Sequence, residues 1–323
     1  MDKIKKIIGI DISKDVIDVN DSEDRHYQYT NNRKGFSRMK HLEGKGMIWV
    51  MEATGYYHLP LARYLLSRGE QVSVVNPLSV KRYIQMRLSR IKTDKSDARM
   101  IRQYGEQNEL RAWKGRSRKW EESLQVMSLL ERYSKQMTAM KNKLHGESAG
   151  GNVSTEVVKS LKRSMNQLRK EQIILEKHLL QLVREEEREL LTNLESIPGL
   201  GRKTAIMLIV MTEGFRRFES ASALRSYCGL TPIIRESGSS VRGRSRISKM
   251  GNQKLRNLLF LCSFTACQYN KACNDLYRRI TDKGKSKKLA LIAVSNKLLK
   301  QAFAIAKSGI PYDADYRSAL PQK

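Results

Sequence analysis

Acid is scarce in this sequence. Asp and Glu number 33 against 61 Lys and Arg, leaving a formal charge of +28 on 323 residues. Such an excess needs a polyanionic partner. Nucleic acid is the natural one, because neutralised phosphates release counterions and drive association; an anionic membrane surface is the competing reading. Long apolar runs are missing too. No stretch of about 18 apolar residues occurs, so no membrane-spanning helix and no membrane partner are expected. The opening "MDKIKKIIGIDIS" sets basic residues before a short apolar run that Asp11 interrupts, which does not suit a signal peptide. A cytoplasmic protein is expected. Cysteine is sparse: Cys228, Cys262, Cys267 and Cys273 include no C-x-x-C pair and meet no histidine cluster, which excludes zinc-ligand spacing. Three of them fall in one expected helix, as reduced packing residues. What is present is a 40% hydrophobic content, ample for a core, and enough length for two or three domains.

Along the chain, "KIIGIDI" (6–12) reads as a buried strand, and "DVIDVND" and "HYQYTNN" extend it into a three-stranded meander. "GMIWVMEATGYY" is a further strand ending in a Gly-containing turn. "HLPLARYLLSRG" is an amphipathic helix closed by Gly69, and "QVSVVNP" is a strand stopped by Pro77. Three strands, helix, strand, helix, strand, helix describe an α/β domain with a mixed sheet, placed at 1–119. Its last part is basic: thirteen Lys and Arg against four Asp and Glu between Leu78 and Lys119, read as a phosphate-contacting face.

Residues 120–190 read as helix. Val158, Met165, Gln172 and Leu179 alternate with Leu161, Leu168, Leu175 and Leu182 at spacings of a coiled-coil seam, with Gln172 its one polar member and "EEERE" its end. Two helices packed within one chain and a self-association arm both satisfy the pattern. "HGESAGGNVS" (145–154) is the expected break. Residues 191–323 form a mainly helical third unit, with a tight G-x-G turn in "LESIPGLGRKTAIMLIV" and apolar helices after residue 250.

Four carboxylates stand out. Asp11 sits on a strand between Ile10 and Ile12, where an ionised group is costly without a partner. Glu52 ends a second central strand. Asp94 and Asp97, in "KTDKSDAR", open a helix and share one face. Taken singly, each has a bland reading: Asp94 as a helix cap with Asp97 at the third position, Asp11 as a turn residue. Together they make an all-oxygen ligand set for hard divalent ions, Mg2+ or Mn2+, which two-metal phosphoryl transfer requires.

These stretches carry a resemblance. "GIDISKDVIDV", "MEATGYY", "VVNP" and "KTDKSDARMI" resemble the RNase H-like (RuvC-like) DEDD domain of a family of bacterial insertion-sequence transposases. "SIPGLGRKTA", "YCGLTP" and "ESGSSVRGRSRISKMGNQKLR" are similar to that family's C-terminal transposase domain. The resemblance implies a recombinase guided by a bridge RNA that pairs with donor and target DNA. It implies a serine nucleophile matching Ser237, with Ser239 and Ser240 as rivals. It also implies a composite site in which carboxylates and serine come from different protomers of a dimer or tetramer joined through the helical region. A bacterial, nucleoid-associated location follows.

Within "RESGSSVRGRSR", Arg235, Arg242, Arg244 and Arg246 suit phosphate oxygens, and Gly238 and Gly243 permit close approach. The residues alone leave a non-catalytic basic loop equally open. In "IPGLGRKTA", which resembles a helix-hairpin-helix turn, Arg202 and Lys203 would support a backbone-phosphate contact. Trp113, Trp120, Tyr56 and Tyr57 stand between base stacking and core packing. The chain lacks G-x-x-x-x-G-K-[ST], "GLGRKT" being too short, so strand rejoining without nucleotide energy fits. It lacks H-x-x-R, which argues against a tyrosine recombinase. The alternatives are a RuvC-like metal-dependent nuclease or junction resolvase using water, and a non-catalytic nucleic-acid-binding scaffold.

Overall fold

The computed structural model describes residues 6–44, 46–53, 55–87, 93–233, 236–237, 241–242 and 246–315. The chain divides into two compact units, Met1–Arg116 and Ser117–Lys323.

In the first unit, β1 (Lys6–Ile12), β2 (Val16–Asn20) and β3 (His26–Thr30) form the expected antiparallel meander. Helix α1 (Arg33–Arg38) and a 3-10 turn (Met39–Leu42) lead to β4 (Met47–Glu52), α2 (Leu59–Ser67) and β5 (Gln71–Val75). Two helices then follow, α3 (Pro77–Met86) and α4 (Asp94–Gln107). β1, β4 and β5 run parallel, giving the order β3-β2-β1-β4-β5. This is the mixed α/β sheet the sequence predicts, and it is compatible with an RNase H-like domain.

The sheet is covered on both sides, which is why β1 reads as an almost unbroken apolar run. Ile8, Ile10 and Ile12 join Trp49 and Met51 beneath Phe36 of α1 and Leu61 and Leu65 of α2. Ile7 faces the opposite side, with Val50, Val80 of α3 and Ile101 of α4.

α4 is seated unusually close to the sheet. A Cβ at Gly9 would collide with the Ala98 carbonyl oxygen and the Arg102 backbone nitrogen, and one at Gly105 would lie 2.9 Å from Ile7 and 3.0 Å from Val50. Gly105 therefore sits over the start of β1 and Ala98 over its middle, so α4 runs antiparallel to β1. Thr93, not Asp94, caps the helix: Thr93 Oγ1 accepts from the Ser96 N–H at 3.2 Å and Ser96 Oγ accepts from the Thr93 N–H at 2.9 Å. Asp94 is left as the first helical residue with its side chain available. The buried Arg102 donates to Asn20 (2.6 Å) and pairs with Asp24 (3.1 Å) and Glu106 (2.5 Å), while Arg99 pairs with Asp24 at 2.6 Å. Part of the basic run expected to meet phosphate thus fastens α4 to β2 instead.

In the second unit, α5 (Arg118–Ala149) and α6 (Thr155–Glu195) flank a turn at the expected break. They pack antiparallel. Gln172 Nε2 donates to Ser134 Oγ at 3.0 Å, and His178 Nε2 lies 2.8 Å from Glu122 Oε1. Leu175 and Leu179 meet Val126, Met127 and Leu130. The part of the heptad seam around Gln172, Leu175 and Leu179 is therefore used within the chain. At "EEERE" α6 bends, at Glu187 (φ −145°, ψ 47°), and then continues to Glu195.

After α7 (Arg202–Thr212) and α8 (Ala221–Tyr227), the backbone forms two short antiparallel pairs. β6 (Pro232–Ile233) pairs with β9 (Arg246–Ile247), and β7 (Glu236–Ser237) with β8 (Val241–Arg242). Then come α9 (Gln253–Tyr269), α10 (Lys271–Thr281) and α11 (Lys287–Ser308). Asn270 ends α9 and caps α10, so Cys262 and Cys267 share a helix while Cys273 belongs to the next. All four cysteines are free. α11 is long and apolar enough to cross a membrane by composition alone, at mean hydropathy 1.4, which the sequence reading did not anticipate. Its Val294, Leu298, Leu299 and Ala302 are buried in the core shared with α6–α9, and it serves as a core helix.

Candidate active site

The four carboxylates named from sequence come to one end of the first unit's sheet. The parallel register pairs Ile10 with Met51, so the next residues, Asp11 and Glu52, lie side by side on neighbouring strands about 4.8 Å apart. Both point to the α4 side, since Asp11 follows Gly9, and Glu52 follows Val50, by two residues. Because α4 runs antiparallel to β1, its first turn, with Asp94 and Asp97, overhangs that same end.

Electrostatics report the convergence. The Asp11 carboxyl is pushed up to about 6, first by burial, then by the negative charges of Asp97, Asp94 and Glu52; the Ile12 N–H partly opposes the rise. Four oxygen-donor groups that repel one another suit a hard divalent cation, which would relieve the repulsion. Among the described residues, no three acidic, His or Cys side chains meet closely enough to enclose an ion. The carboxylates share a field, not a ready-made coordination sphere.

A fifth carboxylate escaped the sequence reading. Asp18 of β2 stands opposite Asp11, is 4% exposed, and is held by His26 Nε2 (2.8 Å) and Gln28 Nε2 (3.2 Å). Its signal is an acid between Ile17 and Val19 on a strand, the same pattern that marks Asp11. Asn31 was also missed: its Nδ2 donates to the carbonyls of Ser13 (2.9 Å) and Tyr57 (3.2 Å), tying the turn after β1 to the turn after β4.

The structure separates the aromatic candidates. Trp120 is buried and Trp113 packs against the sheet core, whereas Tyr56 and Tyr57 are exposed.

The serine segment belongs to the second unit. Ser237 lies on β7, paired through its backbone with Val241, and Glu236 pairs with Arg242. Among the described residues, the segment read as a loop holds two separate strand pairs, this one and that of Ile233 with Arg246. Arg235, Arg244, Gly238, Gly243, Ser239 and Ser240 lie outside the described residues.

Arg202 and Lys203 open α7. Arg202 Nε pairs with Glu195 at 2.5 Å and Lys203 with Glu176 at 3.3 Å, and both remain largely exposed. Together with Lys177 and Lys254 they line a groove of about 630 Å3 floored by Ile206 and Met207. Gly199 precedes them with φ +96°, and a Cβ there would approach the Ala266 backbone to 2.6 Å. Only glycine suits that turn, which is packed on α9.

Comparison with known proteins accounts for both units. Residues 8–147 match the DEDD domain profile described as a transposase of the IS110 group, and residues 191–278 match the profile "Transposase IS116/IS110/IS902 family". The chain is 29% identical over 324 residues to the pilin gene-inverting proteins of Moraxella lacunata and Moraxella bovis, covering 96% of this chain and 98% of each relative. An IS110 insertion-element protein of Streptomyces coelicolor is 30% identical over 158 residues, 49% of this chain and 38% of that one. With both domain types matched in order over more than two thirds of its length, and the carboxylates of the first gathered at one sheet end, the chain belongs to the IS110 family of transposases and acts in DNA rearrangement.

Proposed function

We propose that this transposase is an RNA-guided recombinase that cuts and rejoins the strands of an insertion sequence through a covalent serine–phosphate intermediate. The observation that carries the reading is that Asp11, Glu52 and the first turn of α4 with Asp94 and Asp97 come to one end of the sheet, where burial first, and then the charges of Asp97, Asp94 and Glu52, raise the Asp11 carboxyl to about 6. Asp11, Glu52, Asp94 and Asp97 would hold Mg2+ or Mn2+, which when bound neutralises phosphate charge and stabilises the leaving oxygen.

In this reading Ser237 Oγ attacks the scissile phosphorus and the bond to the deoxyribose oxygen breaks. One phosphoester replaces another, so the reverse attack rejoins strands without nucleotide energy. Arg235, Arg242, Arg244 and Arg246 grip the flanking phosphates from the same segment. Functionally, 1–119 is the RuvC-like domain, 120–190 the helical region, and 191–323 the serine domain. Carboxylates and serine come from different protomers of a dimer or tetramer. The +28 charge supports simultaneous binding of donor DNA, target DNA and a guide RNA. The protein works in the bacterial cytoplasm at the nucleoid.

The test is to incubate the full chain with guide RNA, junction DNA and Mg2+, then denature and look for a protein–DNA adduct. Ser237→Ala should abolish the adduct while RNA mobility shifts persist. Loss with Ser239→Ala instead would move the nucleophile. Mg2+-dependent cleavage that survives Ser237→Ala without any adduct would make water the nucleophile and the protein a nuclease.

A further inference from the structure

Two exposed tyrosines stand on the turn beyond Glu52, at the sheet end where the carboxylates gather. Tyr56 is 67% and Tyr57 45% exposed. The other tyrosines of this unit have ring partners: Tyr27 with Tyr29, Tyr64 with Phe36, Tyr83 with Tyr104. Among the described residues, Tyr56 and Tyr57 have none. They follow Glu52 by four and five residues, on the turn that leaves β4 at the sheet end where the carboxylates gather.

That turn is anchored. Asn31 Nδ2 bonds the Tyr57 carbonyl and the Ser13 carbonyl at once, its backbone N–H reaches Asp15 O at 2.8 Å, and the Leu59 N–H closes the turn on Tyr56 O at 3.2 Å. The joined segments also carry exposed Lys14, Arg33 and Lys34. Rings held on a braced turn lose little conformational freedom when something stacks on them. Aromatics interleaved with cations beside a phosphate-cutting centre are the makings of a platform for unpaired bases, since every base has a π-face while paired, stacked bases offer none.

We propose that Tyr56 and Tyr57 form a stacking platform that receives unpaired nucleobases of the DNA strand entering the carboxylate site. The inference rests on reading that site as the cutting centre. Asn31 is its positioning residue, acting through the Tyr57 carbonyl.

The test measures binding of the full-length protein to labelled dT20, to U20 and to a blunt 20-base-pair DNA duplex by fluorescence anisotropy at fixed salt. Tyr56→Ala and Tyr57→Ala should each weaken dT20 binding by about fivefold or more, with duplex affinity and the salt dependence of binding unchanged. Tyr→Phe at either position should retain affinity, because the ring rather than the hydroxyl carries the contact. Asn31→Ala should weaken dT20 in the same pattern. The proposal falls if the Ala variants bind dT20 like the parent, if Phe is as damaging as Ala, or if duplex binding drops equally. Loss confined to U20 would make an RNA strand the occupant and overturn the DNA assignment. Asp11→Asn serves as the control for the underlying reading. It should bind dT20 normally and lose Mg2+-dependent cleavage; if it cleaves normally, the cutting-centre reading fails while the binding result stands apart.

Discussion

Gly9 of β1 faces the Ala98 carbonyl of α4 with no space between them for one methyl group. This contact sets the height of α4 above the sheet, and so the position from which Asp94 and Asp97 overhang Asp11. Ile7 and Val50 beneath Gly105 fix the other end of the same helix.

Gly9→Ala should therefore lift α4 and act on the site from a distance. Overpacking of this kind costs about 1–3 kcal/mol. The expected result is a lower Tm in thermal unfolding, together with a smaller Mg2+-induced rise in Tm than the parent shows. A variant with the parent's Tm and Mg2+ response would refute the seating argument.

Asp11 predicts a pH dependence of definite sign. Its folded-state pKa, about 6, lies above the ordinary 3.8, so the folded chain holds this proton more tightly than the unfolded one. The stabilisation is complete below about pH 3.8 and is lost as pH rises through 6, with a ceiling of about 3 kcal/mol. Asp11→Asn removes the charge. In metal-free buffer it should raise Tm at pH 7.5 and leave it nearly unchanged at pH 4. Mg2+ should stabilise the parent more at pH 7.5 than at pH 5, and calorimetry should register proton release on binding in the acidic range.

The α5–α6 hairpin predicts a contrast between two seam residues. Leu179, 6% exposed in the core, should cost about 2–5 kcal/mol when changed to Ala. Gln172 spends its amide on Ser134, a partner replaceable by apolar contact, so Gln172→Leu should match or exceed the parent in urea denaturation. Helicity of the parent should not fall on dilution, because α5 packs against α6 in the same chain around Gln172 and Leu179.

Arg202 offers a test of the turn before α7. If it contacts backbone phosphate, Arg202→Gln should weaken DNA binding uniformly across sequences and reduce the slope of log K against log salt by about one. If Glu195 is its sole partner, stability will drop and the slope will stay.

Local patterns told much of this in advance. Ile7 through Ile12 form a run too apolar for anything but a central strand, with Asp11 conspicuous in it, and the strands from Lys6 to Val75 follow from alternation and turn residues. Asp11 and Glu52 were legible as charged residues within and at the end of apolar strands, and Asp94 and Asp97 as a pair three residues apart opening a helix. Asp18 was passed over, although the same reasoning reaches it. Thr93 hid its capping role because an acid beside it could have capped equally well.

The sequence by itself determined the strands of the first unit and their order, and it picked out Asp11, Glu52, Asp94 and Asp97, since these depend on propensity and period along a short stretch of chain. Tertiary structure alone decided that α4 lies against Gly9 and runs opposite to β1, that Arg102 is a fastener rather than a phosphate ligand, and that Leu175 and Leu179 of α6 share a core with α5 of the same chain. Each of these depends on which surfaces meet across many residues of separation. Helical and strand periodicity say which face is apolar, but not what will cover it.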